Sequence, residues 1–459
     1  MISRTRIACV LGCALALSGL ASPVAAQDDA ASAPVPPPVP DEAAVAMTDA
    51  LSDAPAPEPP PEEEESTSFA NFLQQNVAIH GFGTWGMGIT GTPDGHAYGF
   101  NEFQFGQHKG EFSQTQFALR EIVQATPEIR LAAGQSFRAS VDNGIFLELD
   151  LASAEWTPVP EFSIRAGRIL TPLGFYTQNY RVGTMRPFAV LPQSVYGLGG
   201  VVAQYYDGLG LTYRAETSRG WRMRLELFAG HMFLPLDPAI YVTTDALLGN
   251  PYKPDRYVNA GTDLAFQGGG ALWVDAPVEG LTFMAGAFAA PARMVDRNSD
   301  HSQTGWYASV SAVAGIAYIT DRLEIRSEVS LRASPYQGKS GSIGNGYGGY
   351  IEVAYRILES LQLAVRGDYV RSILDDSFVA LGNWDTTLQH ADAGVSLNYW
   401  FNRDLVVKLS YQYIHGNRFA HPTNQDMYNE ITSSIAALDF SAHFQQTTHY
   451  GALVTSFSF

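Results

Sequence analysis

Ten histidines and seven grouped arginines are the side chains most able to do chemistry. The histidines are His80, His96, His108, His231, His301, His390, His415, His421, His443 and His449. An embedded hydrolase would need one of them beside a nucleophile or an activated water, oriented by a carboxylate or amide. None stands in such a signature. His415 and His421, like His443 and His449, are six apart, a spacing that shares one strand face when no loop intervenes. Gly338-Lys339-Ser340 ends like a phosphate-cradling loop, but Ala333 stands where the first glycine is required and no strand-to-helix context follows. Gly268-Gly269-Gly270 fits a bend within a strand. The two cysteines, Cys9 and Cys13, both lie in the extreme N-terminal stretch, and no clustered His and carboxylate motif implies a metal. No cofactor is expected.

The arginines carry a different chemistry. Arg165, Arg214, Arg222 and Arg224 come from three consecutive segments and form one wall if those segments pair side by side. Arg181 and Arg186 belong to the long connection that follows, roughly 170 to 207, with Arg168 at its root. Gathered at a narrow aqueous slot with low-dielectric walls, these seven would favour anions. The alternative is that they pair with Glu216, Glu226 and Asp207 and select nothing.

The elements that must position them read as strands. Leu209, Leu211 and Tyr213 alternate with Thr212, Arg214 and Glu216; Met223, Leu225 and Leu227 alternate with Arg222, Arg224 and Glu226. Leu323 to Leu331, Leu361 to Tyr369 and Leu405 to Tyr413 repeat the pattern. A helix cannot give two such clean faces. Segments of about ten residues with this alternation have the length of a tilted membrane-crossing strand.

Connections alternate short and long. Short ones are 125–127, 218–220, 275–280, 320–322, 357–360 and 402–404; long ones run roughly 91–111, 170–207, 230–262, 333–347, 372–391 and 416–442. Short periplasmic turns opposite long external loops are the asymmetry of a bacterial barrel. The expected fold is all-β: one transmembrane antiparallel β-barrel of about sixteen strands over residues 71–459. A barrel of that size leaves an aqueous channel. Its lumen would receive Arg130, Arg165, Arg214, Arg222, Arg224, Arg326, Arg366 and Lys408 together with Glu148, Asp150, Glu216, Glu226, Glu324, Glu328, Glu352 and Asp368. Tyr399-Trp400-Phe401, beside the 402–404 turn, would join Phe457 and Phe459 in a periplasmic aromatic girdle.

Beyond Leu20 no apolar run approaches the roughly 18 residues that a membrane-spanning helix needs. Mean hydropathy is −0.05, as expected when outward apolar and inward polar residues alternate. Arg4 and Arg6, the apolar run Ile7 to Leu20 and Val24-Ala25-Ala26 read as a signal peptide over residues 1–26. Residues 27–70 read as a disordered periplasmic spacer, with eleven acidic residues and ten prolines but no Lys or Arg. Formal net charge is −18, about −9 of it in the barrel region, and nothing is basic enough for nucleic-acid binding.

The final strand, Tyr450 to Phe459, alternates Phe457 and Phe459 with Ser456 and Ser458 and ends on an aromatic; it resembles the C-terminal signal strand of Gram-negative outer-membrane β-barrels. The stretch Phe162-Ser163-Ile164-Arg165-Ala166-Gly167-Arg168-Ile169-Leu170-Thr171-Pro172-Leu173-Gly174-Phe175-Tyr176, with Phe146 to Leu151 before it, is similar to the phosphate-selective porin superfamily. The match covers about a tenth of the chain, and a dense run of loop lysines is missing. The resemblance implies an outer-membrane porin passing small hydrophilic solutes, anions among them, in contact with outer-membrane lipid. A homotrimer is implied by the same analogy. A plugged structural or adhesion barrel and an outer-membrane hydrolase stay open as alternatives.

Overall fold

The computed structural model describes residues 75–91, 96–100, 103–105, 111–140, 144–197, 202–235, 260–296, 307–333, 345–373, 389–416, 418–422, 426, 429, 433 and 447–459. The expected signal peptide and the acidic spacer lie outside the described residues, as do most positions of the 230–262, 333–347, 372–391 and 416–442 connections.

Period-two alternation becomes a closed antiparallel barrel of sixteen strands. These are β1 (Val77–Thr90), β4 (Glu111–Gln124), β5 (Ile129–Ser140), β6 (Gly144–Val159), β7 (Phe162–Leu170), β8 (Tyr205–Glu216), β9 (Arg222–Pro235), β10 (Ala260–Asp275), β11 (Leu281–Asp296), β12 (Tyr307–Ile319), β13 (Leu323–Ala333), β14 (Asn345–Leu358), β15 (Leu361–Ile373), β16 (Gln389–Asn402), β17 (Leu405–His415) and β19 (Thr447–Ser458). Each barrel strand pairs with its sequence neighbours in the barrel, and β1 closes the ring on β19. Three short strands, β2 (His96–Phe100), β3 (Phe103–Phe105) and β18 (Ala420–Pro422), pair in a separate sheet.

Closure leaves the barrel without a free sheet edge, which a lipid environment demands. The outer face is apolar: Leu147, Leu209, Leu227, Phe266, Val329, Ile351 and Leu409 are all exposed. Such a band needs lipid against it. No helix among the described residues is long and apolar enough to cross a membrane. At the short-turn end, Trp156, Tyr213, Tyr355, Tyr399, Phe401 and Phe459 point outward as an aromatic belt. Trp400 departs from the expected girdle. Alternation turns it to the opposite face from Tyr399 and Phe401, where it is buried under the guanidinium of Arg356, 5.3 Å from its ring centroid.

The seam between the first and last strands has its own packing. The rings of Phe459 and Phe457 lie directly over Gly81 and Gly83 of β1, in the space that side chains there would fill. The Gly81 amide donates to the Phe459 carbonyl at 2.9 Å, and the return bond has the same length. Hairpins are tight at the other strand ends; Gly280, between β10 and β11, takes a φ of 76° that favours glycine.

Candidate functional site

The long connection after β7 enters the barrel. β7 has nine residues where β6 has sixteen, because Thr171-Pro172 turns the chain inward. Residues 171–197 then cross the lumen, with Leu173, Val182, Phe188, Val190, Leu191 and Val195 almost wholly buried. Apolar contact with the barrel's inner face drives this entry. Leu173 and Tyr206 join Phe228, Met232 and Phe288 in one cluster; Val190 joins Ile414, Tyr450 and Val454 in another. The segment ends in a short helix, α1 (Gln193–Tyr196).

Polar groups on distant strands tie the segment down. Tyr196 Oη donates to Glu328 Oε2 at 2.6 Å, and Glu328 also accepts from the Tyr350 hydroxyl at 2.6 Å and the Phe175 amide at 3.0 Å. The Tyr176 hydroxyl donates to Glu352. Burial, with Glu328 alongside, pushes the Tyr196 hydroxyl well above the usual phenol range. Lys408 donates to the carbonyls of Gly183 and Arg186, Asn398 Nδ2 to that of Pro187 at 2.9 Å, and Arg366 Nη1 to that of Val190 at 2.8 Å. Gly174 allows this closeness: at φ 89°, a Cβ there would strike the Tyr196 hydroxyl.

The arginines of the sequence pattern divide between two faces. Arg165 of β7 points inward and pairs with Glu226 of β9, whose other oxygen takes Arg224 Nε at 3.2 Å. Arg130 pairs with Glu155 on the adjacent wall. Arg214 stands directly opposite Arg224 across the β8–β9 ladder on the inner face. Arg222 lies at the turn end, exposed, 3.7 Å from Asp275. Arg181, on the inward segment, is buried against Asp150 and Glu148 at 3.1 and 3.0 Å. Arg186 is buried in the same segment, its carbonyl on Lys408.

Arg168 lies three residues from Arg165 and so takes the other face of β7, with the lipid-side residues. It holds Asp207 of β8 through two bonds of 2.7 and 2.8 Å and donates to the Leu149 carbonyl of β6 at 2.9 Å, spanning the place where β7 leaves the wall. Its guanidinium also covers the Tyr205 ring at 4.3 Å. The structure therefore brings Arg165, Arg214 and Arg224 together, places Arg181 and Arg186 within the segment, and sets Arg168 outside the lumen.

Solvation of the inner face is uneven. Along β5 to β9 the side chains of Arg130, Arg165 and Arg224 keep 18, 22 and 23% exposure. Beneath the segment on β15 and β16, those of Arg366, His390 and Asp392 keep none. Asp368, His390 and Asp392 lie close enough to share one ion. Arg366 Nε, 3.8 Å from Asp392, already supplies the positive charge there, so the trio reads as an ion-pair network.

The acceptors Glu328, Glu352 and Asp368 were placed in the lumen by alternation, but not their role as anchors. The signal available was the segment itself: a connection with Leu173, Phe175, Phe188, Val190, Leu191 and Val195 is too apolar to lie in water.

No protein-family model matches the chain, and no curated protein matches it in sequence. Among solved structures it is similar to an anion-selective porin from Comamonas acidovorans, with a TM-score of 0.50 and 7% identity over 83% of this chain and 99% of that one. Other similar structures are an outer-membrane channel, DcaP, of Acinetobacter baumannii (TM-score 0.48, 9% identity, 83% and 97% covered) and OmpF of Salmonella typhi (TM-score 0.48, 13% identity, 84% and 98% covered). At these identities the likeness is one of architecture: the chain has the sixteen-stranded, porin-like fold of an outer-membrane β-barrel.

Proposed function

We propose that this protein is a passive outer-membrane channel for small hydrophilic solutes, leaning toward anions, with its route along the β5–β9 side of the lumen. The carrying observation is the uneven solvation of the inner face. The inward segment packs over strands from β10 round to β1 with much of its apolar surface, and it meets β6 through Arg181 and β8 and β9 through Leu173, while the side chains of Arg130, Arg165 and Arg224 on the inner wall of β5 to β9 stay partly wet. Toward the short-turn end that wall holds Arg130, Arg165, Arg214 and Arg224 against Glu155 and Glu226, so this patch carries a positive excess, and a narrow slot amplifies its field. No catalytic step is needed. Export would use the signal peptide expected over residues 1–26, and a homotrimer is proposed by analogy with other sixteen-stranded porins.

Phosphate as the preferred solute rests on the resemblance of 162–176 alone. A general anion preference has the firmer support, since Arg168 of that stretch faces away from the lumen. A second reading, a plugged structural barrel, is favoured by the fully buried inner faces of β15, β16 and β17. Liposome swelling with neutral sugars of graded size separates the two. The channel reading predicts uptake of the smallest sugars with a sharp size limit, whereas a plugged barrel predicts no swelling above empty liposomes.

A further inference from the structure

The inward segment is anchored unequally. Its first half rests on apolar contacts, on Glu328 and Glu352 through Phe175 and Tyr176, and on the Arg181 ion pairs, whereas the two leading amides of α1 rest on one carboxylate. Asp368 of β15 accepts from the amides of both Gln193 and Ser194, the latter at 3.2 Å. Next to it on β16, His390 Nε2 lies 3.1 Å from Asp392 Oδ2. Among the described residues, Arg366 of β15 lies 3.8 Å from Asp392, and Glu352 of β14 lies 3.7 Å from Arg366. Just before β18, the Phe419 ring packs on His390 at 5.2 Å, with Arg418 beside it. β13 contributes Glu328, which accepts from the Tyr196 hydroxyl of α1 at 2.6 Å, and the neutral Ser330, whose hydroxyl donates to the Ser194 carbonyl at 2.7 Å.

Resting on the channel reading above, we propose that this cluster is an acid-sensitive latch: protons entering at Asp368, His390 and Asp392 release α1 from β15 and widen the lumen. The chemistry follows from what each group does. A carboxylate accepting two backbone amides makes charge-assisted bonds about twice as strong as neutral ones, and a proton on Asp368 removes that advantage. A proton on Asp392 removes the carboxylate that His390 and Arg366 share and leaves Arg366 facing Glu352, which loosens the network beneath the helix. Both changes act at α1, a single helical turn whose other ties are the Tyr196–Glu328 and Ser330–Ser194 hydrogen bonds to β13. Arg181, held by two carboxylates across the lumen, keeps the first half in place. The latch therefore opens one end of the segment and leaves the other fixed.

Single-channel recording of the full refolded protein at about pH 7.5 and about pH 4.5 brackets the ordinary carboxylate and imidazole values. Mean conductance is expected to rise about twofold or more in acid as the released state becomes populated. Asp368→Asn, which carries no titratable proton, should show the acid-like level already at the higher pH and lose most of the pH response. His390→Gln serves if that variant does not fold, and should weaken the response while keeping the low conductance at the higher pH. Conductance that is flat or falls in acid, or a folded Asp368→Asn with the full wild-type response, overturns the latch and leaves the channel reading intact. Silence of folded wild type at both pH values removes the channel reading and the latch together.

Discussion

Tyr196 Oη donates a 2.6 Å hydrogen bond to Glu328 Oε2 across 132 positions of sequence, joining the end of the inward segment to the inner face of β13. Glu328 is wholly buried there and serves three donors. Its replacement by alanine should leave all three without an acceptor. The expected cost is about 1–3 kcal/mol for each donor left unsatisfied, read as a lower unfolding midpoint in denaturant, with noisier current from a looser segment. Unchanged stability in Glu328→Ala would show that the segment does not depend on this wall.

Alkali should act on the same contact. The folded state raises the proton affinity of Tyr196 above its unfolded value, so the stabilisation is complete below about pH 10 and is lost as pH climbs toward the folded value. Tyr176 behaves alike, because burial outweighs the opposing Arg326 beside it. Tyr196→Phe should lower stability at neutral pH yet flatten the loss above about pH 10. Parallel wild-type and variant pH curves would contradict this.

Arg181 is buried between Asp150 and Glu148. Truncation to alanine takes this partner from buried Asp150, while Glu148 keeps Arg138 at 2.9 Å and the Tyr205 hydroxyl at 3.0 Å, and breaking a buried pair costs about 3–5 kcal/mol. Thermal melting of the refolded barrel checks it; a loss below about 1 kcal/mol would mean that water reaches these groups freely.

Arg214 and Arg224 are like charges directly opposite one another on β8 and β9. Arg214→Glu converts the repulsion to an ion pair worth about 0.2–1 kcal/mol, so stability should hold or rise slightly. The reversal potential under a salt gradient should move toward cations. Selectivity identical to wild type would place the ion route elsewhere in the lumen.

Gly83 of β1 has the Phe457 ring where a side chain would stand. Gly83→Val should displace that ring at the closing seam and cost about 1–3 kcal/mol by overpacking. The heat-induced mobility shift of folded barrel on a gel would report it as a lower transition temperature.

The barrel was legible because its code is local. Period-two alternation, as in Leu209 to Glu216, needs no knowledge of distant strands, and the turns 218–220 and 402–404 announce themselves by Gly, Asn and Asp. The same alternation sets Arg168 opposite Arg165 and Trp400 opposite Phe401, a division that grouping adjacent residues hides. The anchoring of the inward segment lay beyond such reading. Tyr176 meets Glu352 across 176 positions and Lys408 meets Gly183 across 225, and those partnerships exist only once the ring has closed.

The central claim is a narrow, positively lined passage beside the inward segment. It is tested most directly by single-channel recording of the wild-type protein in a planar bilayer under a salt gradient at neutral pH. The account predicts small discrete conductance steps with a reversal potential on the anion side. A folded barrel that stays silent, or one that conducts with a cation-side potential, would contradict it.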